Sequence, residues 1–180
     1  MKRILYIATL LVVGAIATMA QGFVKVDGDH FTRDGKPYTF NGTNMWYAAI
    51  LGSTGQGGDR DRLVRELDEL KRRGIMNIRA LAGGSDGLSE RPSHTWPSLQ
   101  PQAGVYNDTL LAGLDFFVAQ LEKRGMTCVL YLNNSWEWSG GYGFYLEHAG
   151  EGKAPRPNED GYPAFMDFMR KYATSEKAHQ

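Results

Sequence analysis

Eleven residues, Asn133-Asn-Ser-Trp136-Glu137-Trp138-Ser-Gly140-Gly141-Tyr142-Gly143, concentrate side-chain amides and aromatic rings in one glycine-rich stretch. Amides donate to and accept from hydroxyl groups, and an indole offers a flat apolar face with one polar edge, the combination that grips a polyhydroxylated ring. The plainer alternative is that Asn and Gly shape a turn while the indoles fill a gap in the core. A second candidate is Arg79, near the end of the apolar run Ile75-Met-Asn-Ile-Arg-Ala-Leu81. A central parallel strand is buried on both faces, so a cation there needs a polar or anionic partner. That partner is either a structural ion pair or a carboxylate that Arg79 orients and keeps ionised. A third is Asn44-Met45-Trp46-Tyr47, where Trp46 either stacks on a ligand or packs beneath long loops.

Other features carry less. The run Gly52-Ser-Thr-Gly55-Gln-Gly57-Gly58 has neither a Lys-Ser/Thr ending nor Gly-x-Gly-x-x-Gly spacing, so a phosphate cradle is not expected. His30, His94, His148 and His179 have no paired spacing, and no metal site is expected. Glu137 and Glu147 lie in the aromatic region, but Glu147 fits a solvated face just as well, and no second carboxylate is clearly placed opposite Glu137.

These residues need elements to place them. Phe23–Val26 and Pro37–Phe40 read as two short extended segments of a hairpin region, with Asp27-Gly28 and Asp34-Gly35 as turns. Thr43–Tyr47 reads as a first strand and its C-terminal end, followed by a glycine-rich loop from Leu51 to Gly58. Asp59 caps a helix through Arg73, in which Leu63, Leu67 and Leu70 recur at helical spacing and Gly74 is the stop. Ile75–Leu81 is then a strand. The same grammar returns with a cap at Asn107 or Asp108, a helix carrying Leu111, Leu114, Phe117, Val118 and Leu121, a stop at Gly125, and a strand over Met126–Leu132. Leu70-Lys-Arg-Arg-Gly74 and Leu121-Glu-Lys-Arg-Gly125 precede the two strands alike, which predicts repeated helix-to-strand units and a parallel sheet. A third loop is expected from Asn133 to about Gly161, a short helix over Pro163–Lys171, and a new helix capped by Ser175. Connections into strands are about one glycine long, whereas those leaving strand C-terminal ends are long and aromatic. Ligands of parallel α/β folds sit at those ends.

Composition narrows the class. Formal net charge is +0, from 20 basic and 20 acidic residues, with no basic block outside the helices, so a nucleic-acid partner is not suggested. The single cysteine, Cys128, lies in an apolar run and reads as a small buried hydrophobe. Met1-Lys2-Arg3, an apolar run from Ile4 to about Ala17, and Thr18-Met19-Ala20 form a secretory signal over residues 1–20, with a retained membrane anchor as the alternative. Residues 21–180 are then one domain, secreted or periplasmic, with no stable membrane association after cleavage.

Set in order, the chain resembles the N-terminal part of glycoside hydrolase family five, nearest the endo-β-1,4-mannanases. The likeness rests on Phe31-x-x-x-Gly35-Lys36-Pro37-Tyr38-x-Phe40-x-Gly42-x-Asn44, on Asn77-Ile78-Arg79, and on Leu132-Asn133-Asn134 with Trp136 and Gly140-Gly141. It implies an α/β fold, the N-terminal portion of a (β/α)8 barrel with about three β/α units, preceded by the hairpin. It implies retaining hydrolysis of β-1,4-mannosidic bonds in a β-mannan polysaccharide, with no cofactor. Arg79 would support the nucleophile, and Trp46, Asn133, Asn134, Trp136 and Trp138 would shape the substrate cleft. The family's Asn-Glu-Pro signature is absent from the 180 residues. Both catalytic glutamates are therefore expected downstream, this stretch is expected to be a truncated catalytic domain, and the isolated chain to be inactive and marginally stable. A non-catalytic carbohydrate-binding protein and part of a β-1,4-glucanase of the same clan are the alternatives.

Overall fold

The structure is a computed structural model that describes residues 22–82 and 95–180. The expected signal over residues 1–20 and the position of His94 lie outside the described residues. The chain divides after Thr39 into two compact units.

The first unit is an antiparallel meander. Strand β1 (Lys25–Asp27) pairs with β2 (His30–Arg33), which pairs with β3 (Lys36–Pro37). Asp34 and Gly35 both take left-handed backbone, with φ of 53° and 72°. That turn twists as the flanking strands do and sets their register. The expected pair of strands is thus three. The middle one, His-Phe-Thr-Arg, escaped the sequence reading because its burial is too slight to impose an apolar alternation.

The second unit is built on a parallel sheet in the order β4 (Asn41–Asn44), β5 (Ile75–Leu81), β6 (Thr127–Tyr131). Helix α1 (Ala48–Gly52) follows β4 and occupies the start of what reads as a glycine-rich loop. Ala48, Ala49 and Leu51 are buried, so tertiary contact decides this segment over its glycines. Helix α2 (Arg60–Arg72) starts where the Asp59 carboxylate accepts the Arg62 amide at 2.8 Å. Helix α3 (Asp108–Lys123) starts where Asn107 Oδ1 accepts the amides of Thr109 and Leu110 at 3.1 and 3.3 Å. Gly74 and Gly125, with φ of 80° and 69°, end these helices and turn the chain directly into β5 and β6.

One face of β5 carries Ile78 and Ala80 into a core with Met45, Leu63, Leu67, Phe117 and Leu121. Each fully buried large side chain there contributes about 1.5–3 kcal/mol relative to exposure. Cys128 packs at its margin, and burial pushes its thiol pKa up. Arg124 ties the layer together, donating to Asp68 at 2.8 Å, to the Gln120 carbonyl at 2.8 Å and to the Val64 carbonyl at 3.4 Å. Helices α1 and α3 meet glycine to glycine. A β-carbon on Gly113 would stand 2.2 Å from the Ala49 carbonyl oxygen, and one on Gly52 would stand 2.2 Å from the Gly113 oxygen.

The segment after β6 is not an open loop. It holds a 3₁₀ turn (Glu137–Ser139), helix α4 (Gly141–His148), helix α5 (Pro157–Asp160) and helix α6 (Tyr162–Arg170). Leu146, Phe165, Phe168, Met169 and Ala178 form a second core beneath them. Glu176–His179 is a 3₁₀ turn rather than an α-helix, and Ser175 donates its hydroxyl to Glu151 at 3.0 Å instead of capping it. Among the described residues the sheet has only these three strands, so the outer edges of β4 and β6 are unpaired. Val129, Leu130 and Leu132 are exposed, the last at 71%.

Candidate functional site

Strand register decides which side chains share the face opposite the helices. Asn44, Arg79 and Val129 stand side by side across the sheet, with Asn77 one step below Arg79 and Leu81 one step above. The amides of Met45 and Ala82 continue the ladder past the strand ends, bonding the carbonyls of Arg79 and Tyr131, each at 2.9 Å. Asn77 donates to the Thr127 hydroxyl at 2.7 Å, which fixes the lower part of this face.

Arg79 corrects an expectation. It is exposed, although its same-face neighbours Asn77 and Leu81 are buried. Among the described residues no carboxylate stands within ion-pair distance of it, and its guanidinium instead lies over the Tyr131 ring, 3.7 Å from the centroid. Burial raises the Tyr131 phenol pKa, and the Arg79 charge together with a side-chain hydrogen bond from Arg79 partly offsets that shift. Sequence reasoning passed over Tyr131. The available signal was its place in the strand: Tyr131 pairs with Leu81, two residues beyond Arg79, and so shares its face.

The loop that leaves β6 is shaped by its own amides. Asn133 Oδ1 accepts the Ser135 amide at 2.5 Å, and Asn134 Oδ1 accepts both the Trp136 amide at 3.1 Å and the Ser139 hydroxyl at 2.7 Å. These are Asx turns, so the turn-shaping reading holds for both oxygens. The fold requires glycine at Gly141, where φ is 55° and a β-carbon would lie 2.7 Å from the Trp136 carbonyl oxygen.

The tryptophans separate into two groups. Trp46 and Trp138, from the loops after β4 and β6, meet edge to face with centroids 5.0 Å apart, and Trp46 also meets Tyr47 at 5.5 Å. Trp46 lines an apolar recess with Leu81, Pro97, Leu99 and Leu110, so much of it packs beneath the long loops. Trp136 instead stands against Phe165 at 4.9 Å and Tyr162 at 6.1 Å on α6, with its ring exposed.

Among the described residues neither Glu137 nor Glu147 forms an ion pair. The Glu147 carboxylate accepts the Ala154 amide at 3.3 Å and so tethers the chain after α4 rather than lying on a solvated face. Glu137 buries Oε2 without a hydrogen-bond partner among the described residues. Among the described residues no group of three His, Cys, Asp or Glu side chains could hold a metal ion, and no helix is long and apolar enough to cross a membrane. The strand ends thus offer a cation, amides and indoles, groups suited to holding a polyhydroxylated ligand and an anionic partner.

Comparison with known proteins assigns the chain to a family. The family model described as GH family 5 beta-mannosidase-like matches residues 21–180. The chain is 31% identical over 170 residues to "Putative mannan endo-1,4-beta-mannosidase 9" of Oryza sativa subsp. japonica, covering 94% of this chain and 38% of that protein. It is 30% identical over 154 residues to "Mannan endo-1,4-beta-mannosidase 5" of Solanum lycopersicum, covering 86% and 33%. Among solved structures, a glycoside hydrolase family 5 mannosidase from Rhizomucor miehei superposes with a TM-score of 0.80 at 33% identity, covering 88% of this chain and 39% of that one. The chain therefore spans between a third and two-fifths of the length of these relatives.

Proposed function

We propose, from the premise that this chain belongs to the GH family 5 beta-mannosidase-like family, that it supplies the first part of the catalytic barrel of a secreted, retaining β-1,4-mannan hydrolase. The observation that carries this reading is the convergence of Arg79, the Trp46 and Trp138 pair and the Asn133-Asn134 loop at the C-terminal ends of three adjacent parallel strands. That end of a (β/α)8 barrel is where such enzymes build their sites. The three strands correspond to about three of eight β/α units.

In this role the indole pair and Trp136 offer apolar faces to mannosyl rings, the loop amides meet hydroxyls, and Arg79 awaits a carboxylate. Retention of configuration needs two carboxyl groups about 5 Å apart, one as nucleophile and one as acid and then base. In this reading both carboxyl groups come from strands other than β4, β5 and β6, and β4 to β6 supply binding rather than cleavage. Export is supported by the charged, apolar and small-residue segments of Met1–Ala20.

The test is to express the gene product at its natural length beside the 180-residue chain and assay both on β-mannan and on cellulose. Mannan hydrolysis by the natural-length product alone is the expected result. Cellulose hydrolysis with mannan untouched would assign the barrel to a glucanase. Mannan binding without hydrolysis by either form would assign it to a binding protein.

A further inference from the structure

We infer that Tyr131 is a positioning residue for Arg79: its ring is the platform that holds the guanidinium at the C-terminal end of the sheet. The inference rests on the proposed hydrolase reading, in which Arg79 serves a carboxylate.

Strand geometry makes the contact possible. Arg79 is registered with Val129 and Leu81 with Tyr131, so Tyr131 is the same-face diagonal neighbour of Arg79, one step nearer the strand ends. An extended arginine side chain has many rotamers, and an exposed one ordinarily samples them in solvent. Here the guanidinium lies 3.7 Å from the ring centroid, the close face-on approach of a cation to an aromatic quadrupole. The planar guanidinium stacks as an ammonium does not, so lysine is a poor substitute.

Among the described residues Tyr131 is the support that holds Arg79. The neighbour of Arg79 across β4 is Asn44, a neutral amide, and its neighbour across β6 is Val129. Among the described residues no carboxylate pairs with it, so the Tyr131 side chain is what selects its conformation. Tyr131 is itself anchored. Its carbonyl accepts the Ala82 amide at 2.9 Å, and two residues later Asn133 begins the loop locked by its own side chain. The platform is therefore tied to the loop carrying Trp136 and Trp138. Arg79 and the aromatic face keep a fixed relation before any ligand arrives, the preorganisation that an electrostatic partner of a reacting carboxylate requires.

Arg79 also hydrogen-bonds the Tyr131 side chain; the role belongs to the ring face rather than to that bond, and the test separates the two. Wild type, Tyr131→Phe and Tyr131→Leu are compared in the gene product at its natural length, with folding checked by circular dichroism. Tyr131→Phe should keep kcat within about 2-fold, whereas Tyr131→Leu should lower kcat roughly 10-fold with little change in KM, because a wandering guanidinium affects charge development more than sugar binding. Equal loss in both variants, or loss in neither, overturns the inference. In parallel, the Arg79 Nε–Hε resonance is followed by NMR in the same proteins. A ring-current displacement present in wild type and Tyr131→Phe and absent in Tyr131→Leu supports the platform, and its absence from wild type overturns it. If wild type hydrolyses neither polysaccharide, the proposed activity fails while the resonance still decides the platform.

Discussion

Substituting Gly113 by alanine tests the packing that seats the loop after β4. In an unhindered helix Gly→Ala stabilises by about 1 kcal/mol. Here the added β-carbon would meet the Ala49 oxygen at 2.2 Å, the Ser53 nitrogen at 2.6 Å and the Ser53 α-carbon at 2.9 Å. Those are backbone atoms and cannot rotate away. Ordinary contact lies near 3.5 Å, so α1 and α3 must separate by on the order of 1 Å, forfeiting dispersion along their shared surface. Overpacking of this kind costs about 1–3 kcal/mol, and the backbone clash places Gly113 at the upper end, for a net loss of about 2 kcal/mol after the propensity gain. For a chain of this size that is a fall in Tm of about 4–8 °C. The assay is thermal unfolding by circular dichroism, with Ala119→Gly as the control, an exposed position on the same helix. The control should lose about 1 kcal/mol from propensity alone, so Gly113→Ala should melt below it. Because α1 begins two residues after Trp46, the substitution should also change tryptophan fluorescence. A Gly113→Ala protein that melts at or above wild type would refute the close-approach argument.

Two further outcomes follow from the same geometry. Trp138→Ala removes the edge-to-face partner of Trp46, and should weaken binding of a β-1,4-mannohexaose about 10-fold by calorimetry; unchanged affinity would remove the indole pair from the cleft. Burial raises the Cys128 thiol pKa, so the neutral form is favoured in the fold. The stability linked to that preference is present below the unfolded thiol pKa and is lost as pH rises through it toward the folded one. Iodoacetamide should accordingly label Cys128 more slowly in native protein than in urea at pH 8.5, and equal rates would contradict the burial.

How much was legible beforehand depended on whether local chemistry or distant packing made the decision. Helices α2 and α3 and strand β5 were readable because Asp59, Asn107, Gly74 and Gly125 are local signals, and the apolar spacing between them matches the faces they bury. Helix α1 was not. Its residues lead into a glycine run, and only the near contact of Gly52 with Gly113 on a distant helix reveals what those glycines are for. Helix α4 was hidden similarly, since it opens on Gly140 and Gly141 and takes its order from Phe144 and Leu146 buried beneath it.

The site was half legible. Its residue types pointed to the strand ends, and Trp46 with Trp138 do meet there. Trp136 could not be separated from them by sequence, because its partners Phe165 and Tyr162 lie on a helix that begins more than two dozen residues later. The environment of Arg79 was misjudged for a physical reason. The rule that a central strand is buried on both faces holds at Asn77 and Leu81, which are buried on the side away from the helical core. It fails between them at Arg79, which lies exposed over the Tyr131 ring.

The measurement that reaches the central claim most directly is proton NMR of β-1,4-mannohexaose during its first minutes with the gene product at its natural length. The account predicts cleavage with the β-anomer of the newly formed reducing end appearing first, and no comparable cleavage of cellohexaose. The α-anomer appearing first, or a preference for cellohexaose, would contradict it.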